Sequence, residues 1–480
     1  MVSTGEPMEP IHPTSDTPWS RMRSRREVLR LGLGIAVGGA VAPLLAACTS
    51  PSGTSVAPNV AGSAAAATSP AVSGSITVLI GGGGDPNAHP PLKEVYDGFR
   101  ALNPAIDWDL RALPSGGADW DRLARASLAS GEPVGLVLIN GQQVRGWVRD
   151  GLLADLGADP QMATVLARVP EQFHLAGAGE STSRAIPLAV TRGVHTTGIY
   201  YNRALLDEVG LDVPRSFADL EAAVEPLATL GVAPLVHCSG DVIWNQMLIN
   251  WVLPMIAERT GDAIEFAEST IRGDVGYDSP EWVEAFQTIA NLRSSGVLLE
   301  GSGATDYGTM QQLMLQGRAA MTYNGSWLLP QLLAGSPADE FDLHVAPPPV
   351  IDGAARSRPS LVWNGFALPA QAAGSRDSVY AFLEYASRAE VDRAVVEGMQ
   401  SYSPIAESNA AIESEVAQEF LPMLEDGITP LDWLWEPEIT AEIDNQVQAL
   451  VKGDTTPASA GRAIQAVAED LRLSGRSYYP

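Results

Sequence analysis

Apolar and polar positions along the chain change period repeatedly, and the changes mark elements. Residues 75–80 (SITVLI) form a β-branched apolar run, the pattern of a buried strand. Residues 91–102 repeat apolar positions at helical spacing, 106–110 alternate as a strand does, and 119–130 are helical again. Residues 134–139, bounded by Pro133 and Gly141, predict a second buried strand, and 144–151 a short helix. Further helices are predicted over 216–230, 280–295, 307–317, 377–387 and 457–473. Strand and helix alternate, which predicts an α/β fold with mostly parallel sheets. No period of the solenoid kind recurs.

The first residues follow another pattern. Residues 1–30 are polar and hold Ser24-Arg25-Arg26-Glu27-Val28-Leu29-Arg30, and an apolar stretch over 31–47 ends at Cys48. A charged region, an apolar region and a small-residue cleavage site predict an export signal over 1–47. The paired Arg25 and Arg26 resemble the twin-arginine signal, with Val28 where that pattern prefers Phe. Leu45-Ala46-Ala47-Cys48 resembles the bacterial lipobox, which implies diacylglyceryl attachment at Cys48 and stable membrane anchoring through lipid alone. Residues 49–75 carry no charge and consist mainly of Ser, Ala, Gly, Pro, Thr and Val. With Cys48 they read as a flexible tether reaching about 30 Å. The expected location is the extracytoplasmic face of the cell membrane.

Composition narrows the function classes. The chain has 480 residues, 30 basic and 57 acidic, for a formal charge of −27. That balance argues against nucleic acid, whose phosphates need neutralising by Lys and Arg. Two cysteines, Cys48 and Cys238, exclude a disulfide framework. The six His are scattered without ligand spacing, so no metal site is expected. The run Gly81–Asp85 lacks both the dinucleotide-binding spacing and a P-loop Lys, so no nucleotide cofactor is expected either.

Several blocks carry a resemblance to a family. Ile186-Pro187-Leu188, Gly198-Ile199-Tyr200-Tyr201-Asn202-Arg203, Gly210-Leu211 with Val213-Pro214, and Ser216-Phe217-Ala218-Asp219-Leu220 stand in order. Gly317-Arg318-Ala319-Ala320-Met321-Thr322 and Asn324-Gly325-Ser326-Trp327 follow. Gly365-Phe366-Ala367-Leu368, Ser403-Pro404-Ile405 and Gly453-Asp454-Thr455-Thr456-Pro457 complete the set. In order and spacing these blocks resemble family 1 extracellular solute-binding proteins, the sugar-binding components of ABC importers. One departure is Pro133-Val134-Gly135, where relatives carry Pro-Asp before a strand.

The resemblance implies a two-lobe periplasmic-binding-protein-like α/β fold with a hinge and an interlobe ligand cleft. The lobes are expected at 76–189 with 355–402, and at 190–354 with 403–480. Chain crossings are expected near 187–198, 345–358 and 403. The resemblance also implies a monomeric, non-enzymatic receptor for a mono- or oligosaccharide, whose partners are ABC permease subunits.

Sugar recognition needs flat aromatics for C–H faces and carboxylates or amides for hydroxyls. The chain holds eleven Trp against nine Phe. Trp327 carries over onto a ligand-stacking Trp of relatives, and Asp241 with Trp244 resembles an acid-plus-aromatic cleft loop. Trp363 and Trp435 are further aromatic candidates, while Trp108, Trp147, Trp251 and Trp282 read as core. Ligands of parallel α/β sheets sit at strand carboxyl ends, which selects Asp85, Asn140 and Gln142. Asp85 could equally cap a helix. Arg192 and His195 lie beside the expected hinge and could bond ligand or a surface acid. Cys238 reads as a buried small hydrophobe. An anionic solute would call for clustered Arg, for which Arg145 and Arg192 are the near candidates. The rival readings are a non-sugar solute (polyamine, glycerol phosphate ester or metal chelate) and a secreted glycoside hydrolase, which would need two carboxylates about 5–10 Å apart.

Overall fold

The computed structural model describes residues 72–80, 89–113, 117–170, 173, 184–335, 341–371 and 376–478. The expectations for Arg25, Arg26, Cys48, Asp85, residues 1–47 and most of the tether lie outside the described residues.

Among the described residues nine strands form one continuous sheet that changes partners at its middle. They are β1 (Gly74–Ile80), β2 (Ile106–Ala112), β3 (Leu136–Asn140), β4 (Ala185–Ile186) and β5 (Val194–Asn202). After them come β6 (Ala233–Leu235), β7 (Ala319–Gly325), β8 (Leu343–Ala346) and β9 (Leu361–Ala367). The order is β2-β1-β3-β9-β5-β7-β6, with β4 on β9 and β8 on β5. The first lobe is built on β2-β1-β3, the far half of β9, and β4. The second is built on β8-β5-β7-β6.

β5 and β9 are shared between the lobes. Val194–Thr196 of β5 lies antiparallel to Leu361–Trp363 of β9. Beyond that ribbon, β5 runs on into the second sheet beside β7 and β8. β9 runs the other way, where Asn364–Ala367 pairs with β3. The passage back into the first lobe therefore falls at Trp363–Asn364, later than the 345–358 stretch read from sequence, because 343–346 still pairs with β5.

The expectation of mostly parallel sheets needs correction. β1 pairs parallel with β2 and β3, and β6 with β7, but the other pairings of the described strands are antiparallel. A crossing strand enters its second sheet from the hinge side, and so opposes the strands laid down by right-handed crossovers there. The helix read over 216–230 is also corrected. It is two short helices, Phe217–Ala222 and Val224–Ala228. Pro226 has no N–H to give to the Ala222 carbonyl and its ring crowds that group, so the helix breaks there. Its start is as the sequence reads: Ser216 Oγ accepts from Asp219 N–H, and Asp219 Oδ2 accepts from Ser216 N–H.

Two hydrophobic cores result. One fills the first lobe and continues onto the Tyr200 face of the second sheet. The other lies on the opposite face, where Ile199, Tyr201, Met321 and Tyr323 meet the helices Gln246–Ala257, Pro280–Ser294, Pro437–Lys452 and Pro457–Leu473. The helix Gln246–Ala257 is buried at every position after the first, as expected of a helix that is apolar all round. Trp147, Trp251 and Trp282 are core residues, each 1% exposed or less.

Candidate functional site

Strand direction selects the site. β6 and β7 end at the hinge side of the second sheet, and β5 begins there, since Thr197 pairs with Gly325. β3 ends at the hinge side of the first sheet, where Asn140 pairs with Asn364. Carboxyl ends from both lobes therefore face one seam, the position at which α/β sheets take ligands.

Aromatic side chains crowd one part of the seam. The loop after β6 brings Trp244 onto Tyr307, with ring centroids 4.8 Å apart and planes 25° apart. Trp244 also stacks on Trp327, just after β7, at 6.0 Å and 27°. Both tryptophans are partly buried and pack against both cores. Asp241 fixes this loop, its Oδ2 accepting the Tyr307 backbone N–H at 2.7 Å. The His195 ring meets Trp327 edge-on at 5.8 Å.

The sequence Asn324-Gly325-Ser326-Trp327 explains how Trp327 is aimed. Tyr200 donates its hydroxyl to the Gly325 carbonyl at 2.9 Å, and Asn324 Oδ1 accepts the Gly325 N–H. A Cβ at position 325 would stand 2.1 Å from Trp327 Cζ3. Only glycine leaves room for the indole over its own backbone.

His195 is held neutral. Burial, with the charge of Arg192 beside it, pushes its pKa down to about 3. Its Nδ1 lies 3.0 Å from Ser326 Oγ, and that oxygen already accepts the Thr196 N–H. The Nδ1–Ser326 hydrogen bond occupies one ring nitrogen and leaves Nε2 as the other polar atom of the neutral ring. Trp327 Nε1 and the Tyr307 hydroxyl face each other, and neither has any other hydrogen-bond partner.

The other part of the seam is polar and joined across the lobes. Gln142, at the start of the helix Gly141–Arg149 in the first lobe, donates to Asp432 Oδ2 at 3.3 Å. Asn250 of the second lobe donates to Asp432 Oδ1 at 2.6 Å and accepts the Leu431 N–H at 2.9 Å. Arg145 forms an ion pair with Glu268 on the helix Ala263–Arg272, and these side chains are 11% and 13% exposed. Arg145 also donates to the Leu434 carbonyl at 3.4 Å. Burial pushes Asp432 up to about 6. Burial and the nearby Asp432 push Asp444 up to about 8. Asn140 donates its backbone N–H to Gln143 Oε1, while its own Oδ1 has no partner.

Of the sequence candidates, Trp327, Trp244, Asp241 and His195 are brought together, with Arg192 next to His195. Asn140 and Gln142 lie on the polar part. Trp363 and Trp435 join neither group. Trp363 is 1% exposed and meets Trp433 edge-on in the hinge core. Trp435 is 2% exposed and packs on Trp282 in the second core. Cys238 is buried, and burial pushes its thiol up to about 12. Tyr307, Ser326, Asp432 and Asn250 were not singled out as site residues. For Ser326 the signal was its place beside Trp327; nothing local marked the others. A surface groove of about 690 Å³ in the first lobe shares none of these residues, and its arginines, Arg168 and Arg388, are both paired with Glu384. Among the described residues no group of acids, His and Cys is arranged to hold a metal ion, and no helix is long and apolar enough to cross a membrane.

Comparison with known proteins adds ancestry. A family model described as bacterial extracellular solute-binding protein matches residues 85–393. A probable sugar-binding periplasmic protein of Rhizobium meliloti is 24% identical over 230 residues, 46% of this chain and 51% of that protein. One of the same description from Brucella suis is 22% identical over 264 residues, 54% of this chain and 59% of that protein. The chain thus matches between about half and three-fifths of these relatives. The GacH receptor of Streptomyces glaucescens, whose structures include an acarbose complex, superposes with a TM-score of 0.66 at 21% identity, covering 83% of this chain and 98% of that one. A family 1 extracellular solute-binding protein from Bifidobacterium longum subsp. infantis gives 0.65 at 18% identity, covering 83% and 99%. These structures establish the two-lobe solute-binding fold.

Proposed function

The chain belongs to the bacterial extracellular solute-binding protein family, and from that premise we propose that it is the carbohydrate receptor of an ABC importer. The observation that carries the reading is the stacked group Trp244, Tyr307 and Trp327, with His195 and Asp241 around it. Indole faces suit the C–H faces of a pyranose, and unpartnered donors suit its hydroxyls. The relatives described as sugar-binding proteins support the same solute class.

Mechanistically, the β5–β9 ribbon is the place for the lobes to bend. Solute touching both lobes stabilises the closed form by its differential affinity for that form. The permease subunits then read closure as occupancy. No reaction is assigned to the chain; it binds and releases. Lipid at Cys48 and the tether 49–75 would hold the receptor at the extracytoplasmic face.

A thermal-shift screen of the purified chain against mono- and oligosaccharides, polyamines, phosphate esters and metal chelates tests the reading. A sugar at 100 times its Kd stabilises the fold by about 2.7 kcal/mol. A shift with one sugar class, absent in Trp327→Ala, supports the proposal. A shift only with non-sugar solutes refutes the solute class, and cleavage of a bound sugar refutes the receptor role.

A further inference from the structure

Arg192 stands apart from the chain's other buried cations. Arg145 and Arg358, both mostly buried, are each paired with a glutamate. Arg192 is half-buried, and among the described residues no carboxylate pairs with it. Its Nε is buried without any hydrogen-bond partner, and desolvation, unopposed by any acid, lowers its pKa. In a chain of 57 acidic residues, an unpaired guanidinium this close to the core is an uncompensated cost.

Its backbone is also unusual. Arg192 has φ 73°, a left-handed conformation shared by only one other non-glycine among the described residues, Gln400. Gly193 follows at φ 66°, and a Cβ there would stand 1.8 Å from the Tyr402 carbonyl oxygen. A left-handed arginine next to an obligatory glycine marks a position whose strain the surrounding fold holds in place. The turn sets Arg192 beside His195, which burial and, after it, the Arg192 charge keep neutral, and His195 in turn lies edge-on to Trp327. Arg145, the other cation near the seam, is committed to Glu268.

Resting on the carbohydrate reading above, we propose that the solute is an acidic sugar whose carboxylate pairs with Arg192, a uronic acid residue at the end of an oligosaccharide or alone. A guanidinium fork matches a carboxylate in two parallel hydrogen bonds. A phosphate ester, with nearly twice the charge, would draw on more than one cation, and among the described residues near the seam Arg192 alone has no acidic partner. The neutral His195 fits the same division of labour: its ring can hydrogen-bond a hydroxyl without adding a second positive charge.

The test is isothermal titration of the whole chain with matched pairs: glucuronate and glucose, galacturonate and galactose, their di- and trisaccharides, with glucose 6-phosphate as the phosphorylated arm. Arg192→Gln, Arg192→Lys and Trp327→Ala are titrated beside the parent. The expected result is uronate binding at least about 100-fold tighter than its neutral counterpart. Arg192→Gln should remove most of that preference while leaving affinity for the neutral sugar within about threefold, and Arg192→Lys should restore part of it. Thermal unfolding of each variant shows whether it is folded, and the lysine variant keeps the charge test open should the glutamine variant unfold. Equal affinity for acid and neutral sugar, equal loss of both in Arg192→Gln, or preference for the phosphate ester overturns the proposal; if Trp327→Ala still abolishes binding, the carbohydrate reading survives. Absence of binding to every sugar in the panel overturns both.

Discussion

The polar and aromatic parts of the seam differ in how far their hydrogen-bonding groups are satisfied, although Asn140 Oδ1 on the polar part is also without a partner. Around Gln142, Asp432, Asn250, Arg145 and Glu268, donors from one lobe or segment meet acceptors from another. Around Trp327, the indole N–H and the Tyr307 hydroxyl have no partner beyond each other, and Arg192 Nε has none. Buried polar atoms in folded proteins are rarely left unpaired. The first group thus has the character of a fastening, whereas the second has vacancies of the kind a polyhydroxylated solute fills. A region's role can be read from which of its polar atoms are already satisfied.

The largest expected break of this contrast is on the fastened side. Arg145→Met takes the cation away from the mostly buried Glu268 carboxylate and should lower unfolding stability by about 2–4 kcal/mol. Urea unfolding measures it; a loss below about 0.5 kcal/mol, the range of exposed pairs, would remove the fastening from the account. On the open side, Trp327→Ala should weaken sugar binding about 100-fold, roughly 2.7 kcal/mol, while costing less in stability than Arg145→Met. If the order of those two effects on stability is reversed, the contrast between the two parts fails.

A third change concerns pH. Asp444 is pushed up to about 8 by burial and by Asp432, so the folded state binds its proton more tightly than the unfolded chain does. Stability from that proton is present below about pH 4 and lost as pH rises toward 8. Asp444→Asn should therefore unfold later than the parent at pH 8.5, by about 2 kcal/mol, with the gap closing toward pH 4. A gap that does not change with pH would show that the carboxyl is not the cause. The smallest effect is on aim alone: Gly325→Ala must displace the Trp327 ring and should weaken binding about tenfold, near 1.4 kcal/mol. Unchanged affinity together with unchanged tryptophan emission would mean that the ring has another way to sit.

Much of this arrangement was legible in the sequence because its signals are local. The runs at 75–80 and 134–139 are apolar enough to be strands anywhere, and they are β1 and much of β3. The rule of carboxyl ends selects Asn140 and Gln142 without long-range knowledge, whereas Trp327 and Trp244 come from the family resemblance and His195 from its place beside the expected hinge. What escaped was non-local. Trp433 and Trp435 are two residues apart, yet one packs on Trp363 and the other on Trp282 in a different core. That division depends on which lobe lies on which side of the segment. The Asp432–Gln142 and Arg145–Glu268 pairs join residues far apart in the chain, and no pattern in either partner announces the other. The parallel expectation failed for a related reason: strand direction at a crossing is set by the return of the chain.

The late arrival of β9 has a consequence for how the chain is made. β3 and β9 lie side by side in the finished sheet, but roughly 220 residues, most of them of the second lobe, are synthesised between them, a separation that slows folding. Until Leu361–Ala367 emerges, β3 offers a bare strand edge and β4 has no partner, which is the template for mispairing with another chain. The sheet of the first lobe is thus incomplete until β9 has been made. A truncation anywhere before residue 361 should yield aggregates, never a half-sized receptor.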